Sequence, residues 1–338
     1  MSSTLPRRPL GKTGLEVSIL GFGAAPIADL YTNVSESDAV DTVVASLEAG
    51  VNLVDTSPLY GRGLSELRVG AALRHFSPDD LILSTKVGRV TDPFSDEGGP
   101  SVFHGGLTHG IRLDYGYDGT MRSLEQSLLR LGRERIDLAL IHDLDVLTHG
   151  DELEKHYQTA LDGAVRALTE LRDAGVISGY GLGVNEPNIA ERFAKDCDPD
   201  AILLAGRYSL LEQPALATFL PLMEKRNIGV ILGGVFNSGI LATGAIPGAR
   251  YDYAPAPPEI MERVAKMESA CRRHDTPLRR AALHFALGHP AVSSLVLGAV
   301  SPNEVAEQVA DLSSPPPTAL WADLVSEGLL SPDAPTPS

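Results

Sequence analysis

The chain is poor in cysteine, in cationic residues and in long apolar runs, and each shortage removes a class of protein. Two cysteines in 338 residues, Cys197 and Cys271, can build neither a disulfide framework nor a thiolate metal cluster. They read as free thiols of a reducing compartment. Lys and Arg together number 28 against 44 Asp and Glu, a formal charge of −16. Nucleic acids and anionic membrane surfaces select clustered cations, so neither is expected as a partner. No apolar run approaches the roughly 18 residues of a membrane span. The opening MSSTLPRRPLGKTG lacks the apolar core of a signal peptide. A cytoplasmic protein with a small-molecule substrate is expected. No heptad or dimerisation segment stands out, which leaves the oligomeric state open.

What is present is an ordinary globular composition, 43% hydrophobic and 21% charged. Eight short apolar runs recur along it: LGFGAA (20–25), NLVDTS (52–57), LILSTK (81–86), IDLALIH (136–142), ISGYGLGV (177–184), AILLAGR (201–207), IGVILGG (228–234) and SSLVLGA (293–299). Most are apolar without alternation, as strands covered on both faces should be. Helical patterns lie between them. Ser35 and Asp38 form a cap ahead of Val40, Val43, Val44 and Leu47, spaced i, i+3, i+4, i+7. Met121, Leu124, Leu128 and Leu131 give a second stripe, and Leu161, Val165, Leu168 and Leu171 a third.

Eight strand–helix units predict an α/β fold, a closed (β/α)8 TIM barrel over residues 1–330, with 331–338 as a disordered tail. An open dinucleotide-binding sheet would show G-x-G-x-x-G after its first strand, and GFGAAP lacks the third glycine. Residues 9–19 read as a hairpin turning at Lys12-Thr13-Gly14 and closing the barrel floor. Two stretches, 87–118 and 237–257, are long for simple connections. Both leave the C-terminal end of the barrel strands, where active sites of such barrels lie.

Those strand ends carry titratable groups. Asp55 and Tyr60 follow strand two in VDTSPLYG, Lys86 closes strand three in LSTK, and His142 closes strand four in LIHDLD. Polar residues ending three successive apolar strands are hard to explain as packing. Together they make a proton-transfer device. A tyrosine with a free pKa of about 10 is a poor base near neutrality. An ammonium beside it should stabilise the phenolate and lower that value. Aspartate holds the lysine charged, and histidine can orient the substrate oxygen. No H-x-H element ends strand one, so no metal is expected.

At these residues the sequence resembles the aldo-keto reductase superfamily over nearly its whole length. Asp55-Thr56-Ser57-Pro58-Leu59-Tyr60-Gly61 is similar to the family's D-T-A-x-x-Y-G element, with Ser57 where alanine is usual. The resemblance implies Asp55, Tyr60, Lys86 and His142 as a catalytic tetrad and a nicotinamide dinucleotide held without a Rossmann motif. It implies Asn185, in GLGVNEPN, at the nicotinamide carboxamide. Tyr208 after strand six joins the cofactor candidates, as do Gly234, Val235, Phe236, Asn237, Ser238 and Gly239 after strand seven. Gly298, Ala299, Ser301, Glu304, Glu307 and Gln308 follow strand eight, toward the adenosine end. Glu304 stands where relatives using NADP carry arginine, and no Lys or Arg follows Arg280. A carboxylate there would repel a 2′-phosphate and accept from a ribose hydroxyl, so NAD is the expected cofactor.

ALWADLVSEGLL, GVFNSG and YGYDGTMRS are similar to the branch of the superfamily holding L-fucose and D-threo-aldose 1-dehydrogenases, L-galactose dehydrogenase and pyridoxal 4-dehydrogenase. The resemblance implies oxidation of a cyclic hemiacetal to a lactone with Tyr60 as general base. An aldose stands slightly ahead of pyridoxal as substrate, and His104, Tyr117 and Trp321 are the expected contacts.

Overall fold

The structure, a computed structural model, describes residues 5–95 and 102–337. Eight parallel strands close into a barrel in sequence order. They are β1 (Leu20–Gly23), β2 (Leu53–Asp55), β3 (Ile82–Val87), β4 (Leu138–His142), β5 (Gly179–Val184), β6 (Ala201–Ala205), β7 (Gly229–Gly233) and β8 (Val292–Leu297). Each falls within its expected apolar run to within a residue or so at either end, and nearly every residue in them is buried. Apolarity on both strand faces is what a barrel wrapped in helices requires.

The outer layer comprises α1 (Glu36–Glu48), α2 (Leu64–Leu73), α3 (Tyr117–Leu131), a helical stretch over 153–173 with a π turn at Leu161–Val165, and α4 (Pro187–Asp196), α5 (Phe219–Arg226), α6 (Pro258–Arg273), α7 (Leu278–Leu287), α8 (Pro302–Leu312) and α9 (Thr318–Ser326). The first of these starts at the expected cap: Ser35 accepts the Asp38 N–H. The third apolar stripe runs through the π turn.

The floor is the expected hairpin, Arg7–Pro9 paired antiparallel with Glu16–Ser18. It drives Leu10 and Val17, both fully buried, against the inward residues Leu53, Ile82, Leu138, Leu203 and Ile231. Gly11 makes that approach possible. Its φ is 53°, and a Cβ would stand 2.3 Å from the Gly229 nitrogen.

At the opposite end, the 87–118 connection contains an antiparallel ribbon, Arg89–Asp92 with Gly110–Leu113. Gln126 of α3 anchors it, accepting the Thr91 N–H and donating to the Thr91 carbonyl. Residues 96–101 lie outside the described residues. The 237–257 connection carries a smaller ribbon, Arg250–Tyr251 with Ala254–Pro255. The 331–338 run, expected as a disordered tail, packs over its described part: the Ser331 N–H donates to Gln213 Oε1 and Ala334 is buried. Leu329 and Leu330, buried just before it, carry the chain inward. Both cysteines are free. Burial pushes the Cys197 thiol up to about 12 and that of Cys271 up to about 11, which leaves neither as a thiolate nucleophile.

Gly11→Ala should therefore loosen the floor without touching the mouth. We expect a loss of about 1–3 kcal/mol in urea denaturation; an unchanged midpoint would show that the hairpin is not a required plug.

Candidate active site

The barrel register brings the four strand-end groups to one mouth. Asp55 is aligned with Gly23 and Ser84, Lys86 with Leu140, and His142 with Gly183. Lys86 lies fully inside. Its Nζ donates to Asp55 Oδ1 at 2.6 Å, to Oδ2 at 2.7 Å and to the Thr56 carbonyl at 3.0 Å. The Ser84 hydroxyl adds a bond to Asp55 Oδ1 at 2.7 Å. Room for the lysine comes from Gly183, where a Cβ would press on Lys86 Cε at 3.2 Å. Tyr60 reaches the same mouth from the turn Tyr60–Gly63, whose Gly61, Arg62 and Gly63 have positive φ. Its ring centroid is 5.9 Å from Lys86 Nζ and 5.9 Å from the edge-on His142 ring.

His142 is held through Nδ1. Ser57 Oγ, fully buried, is 3.1 Å from Nδ1 and also accepts the Leu59 N–H. The Ser57 hydroxyl keeps both a proton and a second lone pair for Nδ1, so this contact orients the ring in either tautomer. Asp143 Oδ1 lies 3.5 Å from Nε2, on the side where an N–H and not a bare lone pair is favourable. Burial lowers the His142 pKa well below its usual value, helped by the charges of Arg89 and Lys86, so the ring is neutral at ordinary pH. Asp143 itself has φ 50° and pairs with Arg89 at 2.9 Å.

The phenol departs from the sequence expectation. An ammonium alongside should lower it, yet the Tyr60 pKa stands well above its usual value. Burial is the largest cause, followed by Asp55, Asp143 and Tyr253, with Arg89 opposing. The physical reason is geometric. All three Lys86 protons are committed to Asp55 and Thr56, so its charge reaches Tyr60 as one half of a neutral pair.

The cofactor candidates fall into two clusters and one outlier. Asn185 Nδ2 donates to the Tyr253 hydroxyl at 3.3 Å, and the Tyr253 N–H donates to Ser238 Oγ at 2.9 Å, linking the ends of β5 and β7. Asn237 bonds the Gly206 carbonyl and the Ser209 hydroxyl. Gly234 has φ 59°, and a Cβ there would lie 3.2 Å from the Gly206 nitrogen; Gly239 faces open space. Val235 is buried and Phe236 partly so. The turned glycine backbone and the Asn185 amide supply donors and acceptors of the kind that fit a dinucleotide.

The second cluster opens α8. Ser301 caps the helix by accepting the Glu304 N–H, and Glu304 Oε2 reaches back to accept the Val300 N–H at 2.9 Å. Gln308 bonds the Gly298 carbonyl at 2.9 Å, and Ala299 is buried. Glu307 takes Arg279 Nη1 at 2.6 Å, and Asp311 takes both Arg279 and Arg280. The fold thus brings two cations onto this helix from α7, already paired, which the sequence order conceals.

Tyr208 is the outlier, buried against Phe285 and His289 in the helical layer. Of the three expected substrate contacts, Trp321 and Tyr117 pack in the helical layer and His104 follows Phe103 in the long connection after β3. Trp321 packs on Phe285. Tyr117 bonds Glu170 at 2.7 Å on the outer helical face, under Arg166. His104 is exposed, its N–H donating to the Asp29 carbonyl. Instead Phe103 stands 5.8 Å from the Tyr60 ring. Arg89, Asp143 and Tyr253 join the mouth without having been singled out as site residues. Asp143, directly after His142, offered a signal in its position; Arg89 and Tyr253 are delivered by the two ribbons and offered none. Among the described residues no group of three or more His, Cys, Asp and Glu is arranged to hold a metal.

A buried lysine–carboxylate pair, a phenol and a neutral imidazole at the C-terminal mouth of an eight-stranded barrel define a barrel oxidoreductase. The Aldo/keto reductase family model matches residues 19–324, and the chain belongs to that family. It is 43% identical to a pyridoxal 4-dehydrogenase of Microbacterium luteolum over 96% of this chain and 98% of that one. It is 35% identical to a D-threo-aldose 1-dehydrogenase of a Pseudomonas species, covering both chains in full. A solved aldo-keto reductase from Bacillus halodurans in holo form superposes with a TM-score of 0.75 at 26% identity, over 97% of each chain. Aldo-keto reductases use nicotinamide cofactors.

Ser57→Ala, which installs the residue usual in the family, removes the group facing His142 Nδ1. We expect kcat to fall about 3- to 10-fold, the worth of one neutral hydrogen bond. An unchanged kcat would show that the imidazole does not depend on Ser57.

Proposed function

We propose that the protein is an NAD-dependent dehydrogenase that oxidises a cyclic hemiacetal to a lactone, with pyridoxal the first candidate substrate and a D-threo-aldose the second. The observation that carries it is the Lys86–Asp55 pair set beside Tyr60 and His142 in one mouth. The expected order of substrates is reversed here for two reasons. Identity to the pyridoxal enzyme is higher, 43% against 35%. The group beside Tyr60 is also aromatic: the Phe103 ring centroid stands 5.8 Å from that of Tyr60, a setting that suits a flat substrate.

Bound NAD would supply the hydride acceptor at the nicotinamide ring. Asn185 and the 234–239 backbone are the groups that would hold it. The Tyr60 phenolate takes the hydroxyl proton while the C–H bond of the same carbon breaks as hydride, so the carbon is oxidised by two electrons. His142 Nε2–H donates to the reacting oxygen and keeps it aimed at Tyr60. Lys86 and Asp55 fix the floor beneath the phenol. Glu304 brings a negative charge to the start of α8 even as it caps the helix, which supports NAD over NADP. Two free thiols and an acidic composition suit a reducing cytoplasm, and we take 1–330 as one catalytic domain.

Tyr60→Phe should cut kcat about 100- to 10,000-fold while shifting the NAD dissociation constant little, because the phenol moves a proton and does not hold the dinucleotide. Substantial residual kcat would assign the base elsewhere. Tyr60 titrates above its usual value and is active as phenolate, so kcat/KM for oxidation should climb with pH from 7 through 10. A flat profile would contradict this. NADP should give a lower kcat/KM than NAD; the reverse order would refute the reading of Glu304.

A further inference from the structure

The mouth contains a charged pair that proton and hydride transfer leave unused. Asp143 follows His142 with a left-handed backbone, φ 50°, a turn that aspartate accepts more readily than most residues. The turn is held in place from outside. The Tyr115 hydroxyl donates to the His142 carbonyl at 2.8 Å and stands 2.9 Å from His149 Nε2, clamping this backbone. The turned backbone sends the Asp143 carboxylate back toward the reaction centre. Oδ1 comes within 3.5 Å of His142 Nε2, and the charge is felt by the Tyr60 and Tyr253 hydroxyls. Oδ2 is held by Arg89 Nη2 at 2.9 Å.

Neither member of the pair is fully used. The Asp143 side chain keeps 22% of its surface open, while that of Arg89 is 91% buried, with 9% exposed. Arg89 Nη1 is buried with no partner among the described residues. A buried donor in that state costs about 1–3 kcal/mol, and the side of the pair left open to another polar group is the Asp143 carboxylate.

We propose that Asp143, held by Arg89, is a specificity-determining residue that accepts a second hydroxyl of the substrate, on the atom next to or one beyond the carbon being oxidised. This rests on the hemiacetal reading above and narrows it to substrates with two neighbouring hydroxyls. Pyridoxal carries one as its ring phenol and an aldose as its C2 hydroxyl. A carboxylate accepts from either, and it excludes a substrate that leaves it unpaired. Its position beside Nε2 also means that one substrate edge meets His142 and Asp143 together.

The test measures kcat/KM for the wild type and Asp143→Ala at saturating NAD on two matched pairs, pyridoxal with 3-deoxypyridoxal and D-arabinose with 2-deoxy-D-ribose. On whichever pair the wild type oxidises, the hydroxylated member should be preferred at least about 10-fold, and the variant should bring that ratio to within about 3-fold of unity. An equal loss on both members would make Asp143 a support for His142 and overturn the proposal, as would a ratio that survives. Oxidation of neither pair would sink the hemiacetal reading itself. The proposal is then decided by calorimetry of the NAD-loaded protein with 4-deoxypyridoxine and 1,5-anhydro-D-arabinitol, which keep the second hydroxyl and cannot react. Binding weakened about 10-fold in Asp143→Ala supports it; absent or unchanged binding refutes it.

Discussion

The ion pair between Lys86 and Asp55 is the constraint on which the mouth is built. Both side chains are almost wholly withdrawn from water, and desolvating two charges is repaid only when geometry and hydrogen bonding are close to complete. Here they are. The carboxylate accepts from the ammonium twice and from Ser84, and the third ammonium proton goes to the Thr56 carbonyl. That completeness depends on register. A one-residue slip of β3 against β2 would turn Lys86 to the helical layer, and any side chain at position 183 would crowd its path.

The same pair explains why Tyr60 is not activated in advance. A lysine with a spare proton would pull the phenol down; a lysine already closed on a carboxylate leaves burial and two acidic neighbours to push it up. The site therefore stores a neutral phenol and a neutral imidazole at ordinary pH, and proton removal becomes favourable only as pH rises or as positive charge arrives with substrate and cofactor. Ser57 meanwhile bonds Nδ1 of the imidazole, so the ring is oriented before chemistry begins.

The barrel was legible because its strands are apolar on both faces and end in turn chemistry, and the tetrad because its members sit at those ends. Leu10 and Val17 were legible as floor because the hairpin around them has a turn sequence. The remainder depended on packing. Trp321 and Tyr117 are aromatic but belong to helical faces, one inward toward Phe285 and one outward toward Glu170. Phe103, Arg89 and Tyr253 reach the mouth through ribbons whose approach no local period encodes. Glu304 was legible only as a carboxylate where NADP-using relatives carry arginine; that it also bonds the Val300 N–H at the start of its helix emerged from the structure. The apolar pair Leu329 and Leu330 similarly explains why the proline-rich run after it lies against the barrel.

The account stands on direct hydride transfer from a hemiacetal carbon whose proton leaves through Tyr60. Supplying pyridoxal or a D-threo-aldose deuterated at the oxidised carbon, and isolating the reduced cofactor, tests this most directly. The account predicts that deuterium appears at C4 of the nicotinamide and that the released acid derivative is the lactone. Reduced cofactor free of deuterium, or label lost to water during turnover, would contradict it.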